Sequence, residues 1–217
     1  DGKVKLEVTA GQGIAYSLFY DGRLLLKPSR IALHTDLPEA DHWENIRITG
    51  TKQRHVSETV QAPFYRVKEF GIDCNELELR LNNGFSLLMR AYNDGMAYRF
   101  VAGRKGEMTV VEERAEFNFA DDFEAYIPYS TNPKDPWNMA FQNFYTKAPL
   151  TQYNTELPAF LPLTVDAGAV KLTLLESDLE AYPGMFVRGD GKTPALKGVF
   201  AAYPQETFKN KWRCQET

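Results

Sequence analysis

The chain has 217 residues, of which 43% are hydrophobic and 25% charged. These values exclude global disorder and allow one large β domain or two small ones. Lys plus Arg number 25 against 29 Asp plus Glu, a formal net charge of -4; this argues against a nucleic-acid partner, and no apolar run approaches the ~20 residues of a spanning helix.

Alternation of apolar and polar residues dominates from the start. Val4, Leu6 and Val8 alternate with Lys5 and Glu7, the pattern of a strand with one face in a core. Gly11-Gln12-Gly13 is too short for a dinucleotide-binding loop and sits among strands. Asp21-Gly22 predicts a tight turn, because both residues accept the positive φ angles that two-residue hairpins require. The three histidines, His34, His42 and His55, form no metal-binding or nucleophile-activating pattern.

Residues 76–101 read as a three-stranded antiparallel meander. Leu77, Leu79 and Leu81 alternate with charged residues, and Phe85, Leu87, Met89 and Ala91 continue the period. Asn83-Gly84 and Asn93-Asp94-Gly95 supply the turns. Further on, Ala115, Phe117 and Phe119 share one face, which points Glu116 away from it. Short strands joined by such turns predict a sandwich or barrel, and without a Gly/Ser-rich linker we expect one domain over 1–217.

Two stretches look irregular. In 120–160 there are five prolines, and the best helical period, Trp137 to Tyr145, follows Pro133 and Pro136; it predicts a short helix or an aromatic loop. Trp137, Phe141, Phe144 and Tyr145 there could stack on sugar rings or pack on another surface, packing being the commoner use. The second stretch, 176–198, is rich in Gly and Pro, and long loops in β domains tend to carry function.

Glu176 stands out between these regions. It continues the parity of Val170, Leu172 and Leu174, so simple alternation aims its carboxylate at an apolar face. That placement is costly unless the acid pairs, binds a cation or lies at the open end of the strand. On periodicity alone, a strand that stops short and leaves Glu176 solvated is the commoner outcome. Asp178 and Glu180 follow at spacing two. Three acids this close suit a hard cation such as calcium, although an acidic surface loop is the more common explanation. Cys74 and Cys214 allow one bridge or two free thiols.

The order of segments resembles the N-terminal domain of glycoside hydrolase family 97, the α-glucosidases and α-galactosidases of gut Bacteroidetes. The stretches that carry the resemblance are Asp21-Gly22-Arg23-Leu24-Leu25-Leu26, Leu87 through Phe100, Glu116-Phe117-Asn118-Phe119, and Leu174-Leu175-Glu176-Ser177-Asp178-Leu179-Glu180-Ala181-Tyr182-Pro183-Gly184-Met185. The last is the most specific. The resemblance implies an all-β fold, a β-supersandwich of the galactose-mutarotase-like type with one or two short helices in its loops. It also implies that the chain is a fragment of a longer enzyme, in which this domain precedes a (β/α)8 barrel carrying the catalytic groups.

In such an enzyme the domain packs on the barrel and donates one glutamate, at the position of Glu176, to a Ca2+ site. The isolated domain would be catalytically silent and bind calcium weakly or not at all. Trp137, Phe141, Tyr145, Asp178 and Tyr182 are the expected contacts to the oligosaccharide substrate or the barrel, and a periplasmic or secreted location is expected. Two other readings stand beside this one. An autonomous carbohydrate-binding module would use the aromatic loop at 137–145. A mutarotase-like sugar epimerase would need a His and a Glu across a sugar ring.

Overall fold

The computed structural model describes residues 2–138, 141–177, 179, 182–203, 207–209 and 214–216. Its regular structure is strand throughout, apart from one 3-10 turn at Leu150–Gln152. Among the described residues no helix is long and apolar enough to cross a membrane. The chain falls into two compact units, Asp1–Asp121 and Asp122–Thr217.

The first unit is built from two layers. Strands β1 (Val4–Gly11), β2 (Gly13–Tyr20), β3 (Arg23–Thr35) and β8 (Val110–Asn118) lie side by side in that order. The second layer holds β4 (Ile48–Gln61), β5 (Glu69–Leu81), β6 (Phe85–Ala91) and β7 (Met96–Ala102), in chain order. Both layers are antiparallel, and the expected meander is β5 to β7. The turn residues explain the connections: Asp21 and Gly22 both take positive φ, 49° and 76°, between β2 and β3.

Between the layers lies the core that alternation predicts. Ile14, Tyr16 and Leu18 of β2, Leu79 and Leu81 of β5, and Phe85, Leu87 and Met89 of β6 are all buried, as are Ala115, Phe117 and Phe119. Glu116, between two of these, is only partly buried, and its carboxylate accepts a hydrogen bond from Arg30 N at 3.3 Å. Tyr16 carries its hydroxyl into the core and donates it to Glu116 O at 3.1 Å; burial raises its pKa far above the phenol value. Trp43, from the connection before β4, meets Phe85 and Phe100 at ring separations of 5.9 and 5.3 Å and donates its indole N–H to Leu33 O.

Pro28 interrupts β3, since it has no N–H for the ladder. The regular pairing of β3 with β8 accordingly begins only at Ile31–Ala115. The buried Ser29 bridges the gap: its hydroxyl donates to Lys27 O at 2.8 Å and accepts from Asn118 N at 2.9 Å.

The second unit contains a sheet of order β10-β9-β11-β12, formed by β9 (Glu124–Ile127), β10 (Thr146–Pro149), β11 (Leu163–Asp166) and β12 (Lys171–Leu174). A hairpin, β13 (Met185–Gly189) with β14 (Ala195–Phe200), and a short pair, β15 (Thr207–Lys209) with β16 (Cys214–Glu216), follow. Ala159 links the sheet's flank to the hairpin, bridging to Tyr129 on one side and Val187 on the other. Ala125, Ile127, Leu150, Leu163, Val165, Val187 and Leu196 are fully buried.

The described residues of 137–145 are loop, which decides between helix and aromatic loop at that site. The reasons are local. Phe141 takes φ +52°, outside any right-handed helix. Ser130 Oγ donates to Pro136 O at 3.0 Å, and the Asn143 side chain donates to Tyr129 O, so polar groups of this stretch are met across the loop rather than along a helix.

One buried acid lies in the first unit. Glu76 of β5 accepts from Arg54 Nε at 2.6 Å and from Arg90 Nε at 2.8 Å, one cation on each oxygen. The Arg54 hydrogen bond outweighs burial, with Arg90 adding to it, and Glu76 is held below the usual carboxylate range. A lowered carboxylate pKa stabilises the fold above the unfolded value near ~4.3 and is lost as pH falls through the folded value. Glu76→Ala is expected to lower the unfolding free energy by about 2–3 kcal/mol at neutral pH. Urea titration of wild type and variant should show that gap shrinking below a pH of ~4.

Candidate functional site

Strand β12 ends at Leu174, and the chain beyond it keeps the strand's parity for two more residues. Leu175 is turned out and 64% exposed, while Glu176 is half-buried. Its Oε2 accepts a hydrogen bond from Met185 N, the first residue of β13, at 2.7 Å. A Cβ built on Gly184 would stand 3.8 Å from that same oxygen. The carboxylate therefore spans from the end of one strand to the start of another, and its second oxygen has no hydrogen-bond partner among the described residues.

Burial raises the Glu176 pKa above the usual carboxylate value, opposed by the Met185 N–H. Glu76 and Glu176 thus shift in opposite directions. Glu76 has two guanidinium partners; Glu176 has one neutral donor and an incomplete shell. A half-buried carboxylate with one oxygen unclaimed is the donor type a hard cation takes. Among the described residues, no group of three or more His, Cys, Asp or Glu side chains is placed to hold a metal ion. Glu176 therefore stands, among the described residues, as a single carboxylate donor and not as part of a ligand cluster.

The residue after Met185 anchors an aromatic cluster. Trp137 meets the Phe186 ring edge-on at 4.8 Å, and Phe141 lies 5.6 Å from the same ring and 5.2 Å from Phe160. Glu176 and the loop of Trp137 and Phe141 thus converge on Met185 and Phe186, with Phe160 behind Phe141. Trp137 and Phe141 are brought together there; Tyr145 is not. It sits on the neighbouring strand approach, where its hydroxyl donates to Pro162 O at 3.2 Å. Tyr182 packs edge-on against Phe200 at 5.9 Å. Asp178 and Glu180 lie outside the described residues.

Sequence reading missed Phe160, Phe186 and the Met185 N–H. The two phenylalanines read as ordinary strand hydrophobics, and a backbone donor leaves no trace in side-chain pattern. Beneath the cluster, Tyr153 approaches Val187 O at 2.8 Å and Leu157 O at 3.0 Å with its hydroxyl, fixing β13 from below. The histidines form separate local pairs: His34 with Asp41 at 2.7 Å, and His55 beside Asn75 and Asp73. Cys74 is a buried free thiol.

The all-β sandwich agrees with the comparisons to known proteins. The family model described as "Glycosyl-hydrolase 97 N-terminal" matches residues 1–215; the chain belongs to the N-terminal domain family of glycoside hydrolase family 97. It is 38% identical over 216 residues to a protein named retaining alpha-galactosidase from Bacteroides thetaiotaomicron, an alignment covering 96% of this chain and 32% of that protein. A probable retaining alpha-galactosidase from Streptomyces bingchenggensis is 26% identical over 155 residues, 70% of this chain and 24% of the relative. Among solved structures, a family 97 enzyme from Pseudoalteromonas sp. strain K8, in complex with acarbose, superposes with a TM-score of 0.75 at 18% identity, over 92% of this chain and 31% of that one. A beta-arabinopyranosidase gives 0.77 at 19% identity, over 92% and 34%. The chain thus spans about a third of the length of the proteins it resembles.

Glu176→Gln separates charge from shape at this site, because an amide oxygen can still accept from Met185 N. A raised carboxylate pKa means that the native state binds the proton more tightly. That contribution is fully present below the unfolded value and is lost as pH rises through the folded one. In this isolated chain Glu176→Gln is therefore expected to leave the melting temperature unchanged or higher at neutral pH. The advantage should vanish in acid; thermal scans across pH 3.5–7.5 on the order of these carboxylate values check it.

Proposed function

We propose that this chain is the non-catalytic N-terminal domain of a calcium-dependent exo-α-glycosidase of family 97. α-Galactosides are the favoured substrates, hydrolysed with retention, and α-glucosides are the second specificity the family offers. In this reading the sandwich is a β-supersandwich of the galactose-mutarotase type. It packs on a (β/α)8 barrel of the same polypeptide, and the whole enzyme works in the periplasm or outside the cell. The preference for galactose rests on the 38% identity to a protein of that activity over nearly the whole of this chain.

The observation that carries the reading is the Glu176 carboxylate, half-buried, held by Met185 N–H through one oxygen, with the other unclaimed among the described residues. An acid kept in this state costs stability unless a cation completes it. Calcium takes six to eight oxygen ligands, so Glu176 contributes one and the barrel the remainder. Met185 N–H sets the direction of the carboxylate. Bound calcium would supply positive charge that orients nearby carboxylates and substrate oxygens. The aromatic rings of Trp137 and Phe141 pack edge-to-face on Phe160 and Phe186, which suits a stiff shoulder behind the acid rather than a flat sugar-stacking platform.

The test uses the full-length polypeptide with aryl α-galactoside and α-glucoside. Activity is expected to fall on chelation and to return with added calcium. Glu176→Ala should raise the calcium concentration for half-maximal activity by at least about tenfold, on the scale of one lost charged ligand. This chain alone should not hydrolyse either substrate. Activity indifferent to both chelator and Glu176 would overturn the ligand assignment, and hydrolysis by this chain alone would overturn the non-catalytic reading.

A further inference from the structure

Strands β4 and β5 continue past the rest of their sheet. β6 pairs with β5 only between Asn75 and Arg80, so Val56–Gln61 and Glu69–Cys74 extend as a two-stranded arm. Their register sets Val56 opposite Cys74, Glu58 opposite Ile72 and Val60 opposite Phe70 on one face. The other face carries Ser57–Asp73, Thr59–Gly71 and Gln61–Glu69. Side chains alternate between the faces of a ribbon, so one face is apolar except for Glu58 and the other is polar.

At the base of the arm the apolar stripe is buried, through Val56 and Cys74. Further out it is open: Val60 is 42% and Phe70 45% exposed, and the tip adds Phe64 at 98% and Tyr65 at 69%. The tip is held rather than frayed. Ala62 N donates to Lys68 O at 2.7 Å, Tyr65 N donates to Ala62 O at 3.1 Å, and the Lys68 ammonium donates to Pro63 O. An apolar stripe that is covered at its base and open along its outer half marks a surface built for contact, and a lone two-stranded ribbon is marginal without a covering partner.

We infer that this arm is a docking surface for the remainder of the same polypeptide, an inference that rests on the accessory-domain reading above. The length of the relatives supports that occupant. The alignment uses 96% of this chain but 32% of the α-galactosidase relative, so a body about twice the size of this one stands outside the aligned part of that protein. A covalently attached partner docks at high effective concentration, so a narrow stripe suffices where a second copy would need a larger patch. The chemistry favours protein over sugar. The stripe offers aliphatic and phenyl groups with few polar groups between them, and a sugar site sets hydrogen-bonding groups beside its rings.

The test places the photocrosslinker p-benzoylphenylalanine at Phe64, and separately at Phe70, in the full-length polypeptide. After irradiation, denaturing gels and peptide mass spectrometry identify the products. The expected product has monomer mass, with position 64 or 70 joined to a peptide beyond residue 217. A dimer-mass band would assign the arm to a second copy. Cross-links confined to residues 1–217, or none, would leave the arm without a partner. Protection from cross-linking only when galacto- or malto-oligosaccharide is added, with no peptide product, would make it a sugar site. Each of these three results overturns the inference. Because Phe64 is almost fully exposed, replacing it should not disturb folding, and unchanged circular dichroism checks this. A dimer band alongside intact dependence on Glu176 would sink the docking surface alone. An intrachain product in an enzyme indifferent to Glu176 would sink the calcium reading alone.

Discussion

A regularly paired β-strand sends every second side chain to one side. Most of what this protein shows follows from that constraint. In the first unit, alternation aims Leu87, Phe117 and Ile14 inward and Glu116 outward. At the end of β12 the same rule carries a carboxylate to the side where leucines belong. Along the β4–β5 arm it sorts valine, isoleucine and phenylalanine onto one face where the pairing with β6 has ended. The core, the acid and the open stripe come from one periodicity, met by different surroundings.

The chain illustrates two surroundings for a carboxylate at a strand. Glu76 is closed: each oxygen has its own guanidinium, and the acid is stronger than usual in spite of burial. Glu176 is open: a peptide N–H satisfies one oxygen, burial weakens the acid, and nothing among the described residues meets the other. The direction of each pKa shift follows from that difference in partners.

Much of the architecture was legible in the sequence because turns and alternation are local. Asp21-Gly22 and Asn83-Gly84 marked hairpins where backbone sterics leave few options, and the leucine rows of β5 and β6 announced their own faces. The aromatic stretch from Trp137 was ambiguous because its hydrophobic spacing suits a helix. A positive φ at Phe141 and hydrogen bonds across the loop decided it, and neither is a property of spacing. The parity of Glu176 was visible, but its partner was not, since a main-chain donor nine residues away looks the same whatever its side chain. The gathering of Trp137, Phe141, Phe160 and Phe186 was equally hidden, because it depends on which loops meet in space.

The anchoring of Glu176 by a peptide group has a consequence for how this site can drift. A side-chain partner can be lost by almost any mutation at its position, whereas the amide of residue 185 is present in nineteen of the twenty amino acids and absent in proline alone. Position 185 is thereby free to change its side chain for the sake of the surrounding packing without disarming the carboxylate. The orientation of the acid is inherited from the path of β13, so the strand, and not any one neighbour, is what natural variation has to preserve.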